Sequence, residues 1–311
     1  MVKNKMMIRF IAVFIIITSF SACGSTGNGP QKPLQIGKLS YPLTITDSYH
    51  RKITILREPK KIISVAPNIT EIVFALGQGR RLVGRSDFCD YPEKAKKIVS
   101  IGSLETPNIE KMVNLHPDLI IASTHFQKDV LNKLENLGLK VVVLYGTESF
   151  DGVYDVIRKV AQALNVKSEA DKIIVQMKNE VANVRDKVNG ASRPSVYYIL
   201  GFGEYGDFTA GKDTFISQMI KIAGGKNAAD DVEGWKYSLE KLVEKDPDIL
   251  ICSLSGQWKK QIMAANGYKD LTAVKKGNLF EIDKNLLERP GPRLADGVQA
   301  LAKIIHPDLF Q

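Results

Sequence analysis

The fold of this chain is decided by a stretch that occurs twice. Residues 108–123 read NIEKMVNLHPDLIIAS, and residues 238–253 read SLEKLVEKDPDILICS, aligned without a gap. Each copy predicts a short amphipathic helix that ends at a Pro-Asp pair, because proline cannot continue a helix. The unbroken apolar run that follows is typical of a parallel strand covered on both faces. One repeat at so long a spacing indicates two lobes of like architecture rather than a solenoid.

Further strand candidates flank both copies, with helical patterns between them. They are residues 61–66, 81–85, 119–122 and 140–144 in the first half, and residues 195–200, 249–253 and 279–282 in the second. This alternation predicts an α/β fold of two lobes, each a parallel sheet flanked by helices. Because open sheets of this kind bind ligands beyond the carboxyl ends of their strands, we expect the ligand cleft between the lobes.

A long helical stretch separates the two halves. One amphipathic segment covers residues 150–164, and a second, which Ser168 is placed to cap, runs to about residue 188. A helix of about 20 residues spans roughly 30 Å, so we expect a rigid backbone helix between the lobes. The predicted domains are therefore residues 41–149, 150–192 and 193–311.

The N-terminal segment indicates export. A basic start precedes the apolar run at residues 10–17, and Phe20-Ser-Ala-Cys23 follows, which is the order of a secretory signal. The apolar run is too short to span a bilayer comfortably. The segment resembles the lipobox of bacterial lipoproteins, which implies a signal peptide at residues 1–22 and an acylated Cys23 on the extracytoplasmic face of the cell membrane. We then expect residues 23–40 to form a flexible tether. An ordinary signal peptide or a spanning helix with a chance cysteine is the alternative.

Composition excludes several classes of function. The net charge of +9 is scattered, so we expect no nucleic-acid partner. The four histidines are dispersed and none pairs with cysteine at zinc-site spacing, so we expect no metal site. The sequence has no Gly-x-Ser-x-Gly elbow, no His-Glu-x-x-His and no phosphate loop, and therefore offers no catalytic residues. We predict a binding protein without a cofactor; a surface enzyme that handles cofactors or metals is the alternative of another class.

Several motifs resemble one protein family over about residues 40–308. They are KIISVAPNITEIVFALG at residues 61–77, RLVGRSDFCDYP at 81–92, FTAG at 208–211, GGKN at 224–227 and ERPGPR at 288–293. The family is that of the helical-backbone (class III) substrate-binding lipoproteins of ABC importers, which serve vitamin B12, ferric siderophores and haem. The DFCDYP loop is most similar to the cobalamin-binding branch. The resemblance implies a monomeric receptor that captures a corrinoid and delivers it to a membrane permease with its ATPase. A ferric-siderophore or haem receptor of the same family is the alternative.

Candidate ligand contacts in the first half follow predicted strands. Asn68 begins a helix after the first strand, where backbone N–H groups can bind an anion or an amide oxygen. By resemblance, Phe88 is the aromatic that packs on cobalamin. Tyr91 either contacts the ligand or holds its own loop in place.

Candidate contacts in the second half lie in three loops. Phe202 and Tyr205 belong to the glycine-rich run GFGEYGDF, where the backbone can approach a ligand closely. Trp235 follows Gly234 in a polar loop, at the point where the family has a ligand-packing tryptophan. Arg289 can donate to ligand amides or carboxylates.

Glu110 and Glu240 occupy equivalent positions in the repeat, each at the start of a helix. A favourable charge at a helix N-terminus accounts for them locally. The resemblance implies a second role, because in such importers one glutamate of each lobe docks onto arginine pockets of the membrane subunits.

Overall fold

The computed structural model describes residues 41–204 and 206–311. The signal peptide, the tether and Cys23 lie outside the described residues, as does Tyr205. In the described part of the chain no helix is long and apolar enough to cross a bilayer.

The first lobe is built around a four-stranded parallel sheet in the order β4-β3-β5-β6. Its elements are β1 (Leu43–Thr46), β2 (Lys52–Ile55), β3 (Ile62–Ser64), α1 (Pro67–Ala75), β4 (Leu82–Arg85), α2 (Ile109–Asn114), β5 (Leu119–Ala122), α3 (Lys128–Asn136) and β6 (Val141–Val143). Strands β1 and β2 form a separate antiparallel hairpin. Every residue of β5 is buried, as the unbroken apolar run predicts.

Two helices, α4 (Phe150–Leu164) and α5 (Lys167–Lys187), connect the lobes. Helix α5 has 21 residues and packs on α4. Its buried stripe includes Ile174, Met177, Val181 and Val184. The prediction that Ser168 caps this helix is wrong, because α5 begins one residue earlier with Val166 in the capping position.

The second lobe repeats the architecture of the first. Its elements are β7 (Ser195–Ile199), β8 (Asp207–Phe208), α6 (Phe215–Ile222), β9 (Lys226–Asn227), β10 (Lys236–Tyr237), α7 (Leu239–Lys245), β11 (Ile249–Ser253), α8 (Trp258–Ala264), α9 (Thr272–Lys275), β12 (Leu279–Ile282), α10 (Asn285–Glu288) and α11 (Leu294–Ile305). The parallel sheet has the order β12-β11-β7-β9, and α11 packs against α5. From the other edge this order is β9-β7-β11-β12, which matches the first sheet strand for strand. The predicted fold class, two lobes with parallel sheets flanked by helices, is therefore confirmed.

The repeated Pro-Asp pair has a structural role in both lobes. Asp118 Oδ2 accepts hydrogen bonds from the backbone amides of Lys60 (2.9 Å) and Lys61 (3.0 Å), just before β3. Asp248 Oδ2 accepts from the amide and the hydroxyl of Ser195, both at 2.7 Å, at the start of β7. Each aspartate thus ties the start of its own strand to the start of the neighbouring one. The two copies of the repeat therefore build the same junction in the two lobes.

Candidate ligand-binding cleft

A small cavity of about 90 Å³ lies at the carboxyl ends of the strands and is lined by residues of both lobes. We call this cavity the cleft floor. Asn68, His125 and Tyr145 line it from the first lobe, after β3, β5 and β6. Phe215 and Pro290 line it from the second. This is the place at which open parallel sheets bind ligands.

Asn68 lies in the first turn of α1, after Pro67 at the first helical position. Its side chain is buried, and Nδ2 donates to Ser123 Oγ at 3.2 Å. Asn68 therefore joins the ends of β3 and β5, and its place in the cleft floor follows from that bond. Thr70, in the same helix, donates its hydroxyl to Ser64 Oγ at 2.8 Å and so joins α1 to the end of β3.

The loop at residues 87–92 carries the two predicted aromatic contacts of the first lobe, and their rings differ in how far they are exposed. Cys89 is fully buried beside Ser86 and anchors the loop. Phe88 is 59% exposed. Tyr91 is 46% exposed, but the guanidinium carbon of Arg293 lies 3.9 Å from its ring centroid. Phe88 is thus the ring that the loop presents to solvent, while one face of Tyr91 is covered.

The aromatic residues of the second lobe that were predicted to contact the ligand pack partly against other residues of the protein. Phe202 packs edge-on against Trp258 and Tyr268, with ring centroids 5.6 Å apart in both pairs. Trp235 is half-buried against the hydrophobic core. Its carbonyl accepts from the Thr209 amide at 2.9 Å, so the FTAG turn holds the tryptophan loop in place.

A cluster of charges joins the lobes next to the cleft floor. Glu71 on α1 is 3% exposed, and its Oε1 accepts from Arg289 Nη1 at 3.1 Å and from Arg293 Nη2 at 2.7 Å. Its Oε2 accepts from Arg293 Nε at 2.8 Å, which completes a two-bond Arg–carboxylate pair. Both arginines belong to the second lobe, in the segment that follows α10. A buried carboxylate requires such partners, so Glu71 couples the lobes.

Asp90 is the second carboxylate on Arg289. Its Oδ1 accepts from Nη1 at 2.6 Å, and the Phe88 carbonyl accepts from Nη2 at 3.3 Å. Partial burial would raise the pKa of Asp90, but the hydrogen bond and charge of Arg289 outweigh it and lower the pKa. The sequence predicts a ligand role for Arg289; in the structure its guanidinium also links the second lobe to the loop at residues 87–92.

A larger groove of about 650 Å³ is lined by helix residues and by the charge cluster. Phe74 of α1 and Met177 and Glu180 of α5 contribute to it, together with Tyr91 and Arg293. Its walls are helix sides rather than strand ends. The candidate ligand-binding site is therefore the cleft and not this larger groove.

Sequence reasoning missed three residues at strand ends. His125 and Tyr145 line the cleft floor, and Leu254, which directly follows β11, is 64% exposed. Tyr145 is positioned by the β1–β2 turn, because its amide donates to Ser48 Oγ at 2.9 Å. The available signal was position alone, since each residue follows a predicted strand by one to three positions.

Glu110 and Glu240 are exposed in the first turns of α2 and α7. Asn108 and Ser238 cap these helices by accepting from the amides of Lys111 and Lys241. A hydrogen bond from the Ser238 hydroxyl lowers the pKa of Glu240. Each helix directly precedes the corresponding strand of its sheet, α2 before β5 and α7 before β11.

Two lobes with matching parallel sheets, a rigid helical connection and a cleft lined from both sides define a two-lobe solute-binding protein. The chain belongs to the periplasmic binding protein family, whose sequence profile matches residues 62–286. The family resemblance deduced from the motifs is thereby confirmed.

Similar proteins extend over nearly the whole chain. An uncharacterised ABC transporter substrate-binding lipoprotein of Bacillus subtilis is 31% identical over 306 residues, covering 96% of this chain and 97% of the relative. A cobalamin-binding protein of Halobacterium salinarum is 28% identical and covers 96% and 85%. Among solved structures, a periplasmic haem-binding protein from Roseiflexus has a TM-score of 0.74 at 28% identity, covering 81% of this chain and 99% of its own. These are solute-binding proteins and not enzymes, which confirms the predicted class.

Proposed function

We propose that the protein is the extracytoplasmic substrate-binding lipoprotein of an ABC importer and that its ligand is a corrinoid. The observation that carries the corrinoid assignment is the similarity of nearly the whole chain to a cobalamin-binding protein. The DFCDYP loop supports it, because it carries an exposed Phe88 shortly after the carboxyl end of β4.

The contacts available in the cleft suit a flat macrocycle with a polar edge. Phe88, with Trp235 from the other lobe, offers aromatic surface that packs a ring system at low entropy cost. Asn68 and the N–H groups of Arg289 lie where amide oxygens of the edge can be bound. The cleft floor is far smaller than a typical site for a ligand of this size, so the ligand rests above it on the exposed rims.

Haem is the second candidate, and a specific observation favours it. His125 and Tyr145 both line the cleft floor, and imidazole and phenolate are known axial ligands of haem iron. The structural similarity to a haem-binding protein supports the same alternative. Ferric siderophores are a third possibility within the family.

Titration of the purified chain with cyanocobalamin, haemin and a panel of ferric siderophores tests the assignment. We expect cyanocobalamin to bind and to quench tryptophan fluorescence, because Trp235 is close to the proposed site. Weak or absent binding of cyanocobalamin, with tight binding of haemin and a shifted Soret band, would replace the corrinoid by haem. In that case His125→Ala should abolish the band shift.

We propose that Glu110 and Glu240 dock onto the membrane permease. Two exposed carboxylates, one on each lobe and at equivalent places in the repeat, suit a partner with roughly two-fold symmetry. Alanine at both positions should abolish ligand uptake by cells and leave ligand affinity unchanged. Alanine at Asp129 and Glu244, which are also exposed, is the matched control. Normal uptake by the Glu110/Glu240 variant, or loss of its ligand binding, would refute docking.

Membrane attachment through Cys23 is part of the same proposal. Cys23→Ser should release the mature chain from the membrane fraction while it still binds ligand. Retention in the membrane fraction would contradict the lipid anchor.

A further inference from the structure

The two arginines near the cleft are surrounded by more negative than positive charge. Arg289 and Arg293 contact Glu71, Asp90 and, at 3.9 Å, Asp283. Glu288 and Lys284 add one charge of each sign to the same neighbourhood. Lys96, whose charge also lowers the pKa of Asp90, is itself paired with Glu93 at 2.8 Å. Asp296 is a further carboxylate within electrostatic reach of Arg293. Two guanidiniums and one ammonium therefore face five carboxylates.

The two carboxylates on Arg289 differ in accessibility. Glu71 is 3% exposed and is shared with Arg293, so it is a permanent internal partner. The side chain of Asp90 is 48% exposed and lies on the loop that carries Phe88. Asp90 is thus the carboxylate that a ligand on this loop would meet.

We propose that Asp90 determines ligand selectivity by neutralising Arg289 at the cleft, so that the protein prefers a ligand edge of neutral amides over one of carboxylates. This inference rests on the proposed function, because it concerns the edge of the ligand that the cleft receives. It identifies the chemical class of that edge, which the fold leaves open.

The hydrogen-bonding capacity of Arg289 explains the preference. Nη1 donates to Glu71 and Asp90, and Nη2 donates to the Phe88 carbonyl. Within the described part of the chain the Nε–H and the other Nη2–H of Arg289 have no hydrogen-bond partner. The side chain is 14% exposed, so a ligand edge that reaches it can accept from these groups without disturbing the ion pairs. A ligand carboxylate would instead compete with Asp90 for the guanidinium and be repelled by it.

The test compares two ligands that differ in one group. Cyanocobalamin carries amide side chains, and its monocarboxylate derivative has one of them hydrolysed to a carboxylate. We expect the wild-type chain to bind the amide form about tenfold more tightly, which corresponds to one like-charge contact partly screened by solvent. Asp90→Asn should bring the two affinities to within about threefold, mainly by strengthening the carboxylate form.

A control in the same loop separates this effect from loss of any nearby charge. Asp87 is exposed, and its carboxylate accepts a hydrogen bond from the Ser100 hydroxyl, while Arg85 donates only to its backbone carbonyl. Asp87→Asn should therefore keep the wild-type ratio of affinities. Asp90→Glu, which keeps the charge, should keep it as well.

A ratio in Asp90→Asn equal to that of the wild type would overturn the inference, and so would a wild-type chain that binds both forms equally. If Asp90→Asn does not fold, the same affinities can be measured on the wild-type chain at different salt concentrations. Raising the salt from about 0.05 M to about 1 M should bring the affinities for the amide and carboxylate forms closer together, because salt screens exposed charges. A ratio that does not respond to salt would also overturn it. Absence of cyanocobalamin binding refutes the proposed function by a separate measurement, and tight wild-type binding of haemin, which carries propionates, refutes both.

Discussion

Replacing Glu71 by glutamine should destabilise the protein strongly, because it removes the buried charge that joins the lobes. Glu71 accepts three hydrogen bonds from two guanidiniums, and each charge-assisted bond contributes about 1.5–3 kcal/mol. The bonds are not additive, and glutamine keeps one acceptor oxygen. Removing one partner of a buried ion pair costs about 3–5 kcal/mol, which we take as the expected loss in the free energy of unfolding.

Equilibrium unfolding in urea and the thermal midpoint measure this loss. At about 2–4 °C for each kcal/mol, the midpoint should fall by roughly 6–20 °C. Glu93→Gln is the control, because the side chain of Glu93 is 79% exposed and its pair with Lys96 contributes at most about 1 kcal/mol. A Glu71→Gln protein within about 1 kcal/mol of the wild type would refute the claim that this carboxylate couples the lobes.

Three further changes test other parts of the structure. Hydrogen bonds from the Ser195 hydroxyl and amide hold the pKa of Asp248 below its usual value. The resulting stabilisation is present above about pH 4 and is lost as the pH falls through the folded-state pKa. Asp248→Asn should therefore make the stability, followed by circular dichroism, depend less steeply on pH in the acid range. Phe88→Ala should weaken ligand binding about tenfold in a titration. It should leave the thermal midpoint unchanged, because the ring is exposed. A lower midpoint would show that Phe88 stabilises the fold instead. Gly211→Ala should lower the free energy of unfolding in urea by about 1–3 kcal/mol and also weaken ligand binding. The reason is that the added Cβ would lie 2.7 Å from the Gly234 carbonyl oxygen, next to Trp235. A variant as stable as the wild type would show that the turn can relax.

The sequence was a sufficient guide to the fold because the information is local. The repeated helix–Pro-Asp–strand segment predicted α2 with β5 and α7 with β11, and the structure has both pairs. Apolar runs and helical periodicity report burial directly, so they also located α4 and the length of α5. The detail that failed was a cap: Ser168 has the right residue type, but α5 starts at Lys167.

The contents of the cleft were only partly predictable from the sequence. Exposed aromatics in loops after strands could be named, and Phe88 was among them. His125 and Tyr145 could not, because no local pattern distinguishes them from other loop residues; the folding of β5 and β6 into one sheet puts them together.

By itself the sequence determined the two parallel sheets and the helical connection between them, because hydrophobic period and turn residues act between near neighbours. Only the tertiary structure decided the partners of Arg289. Glu71 lies 218 residues before it and Asp90 lies 199 residues before it. Charges that far apart in the chain meet through the packing of the two lobes against α5. Whether an arginine binds the ligand or stabilises the fold depends on which carboxylates that packing brings to it.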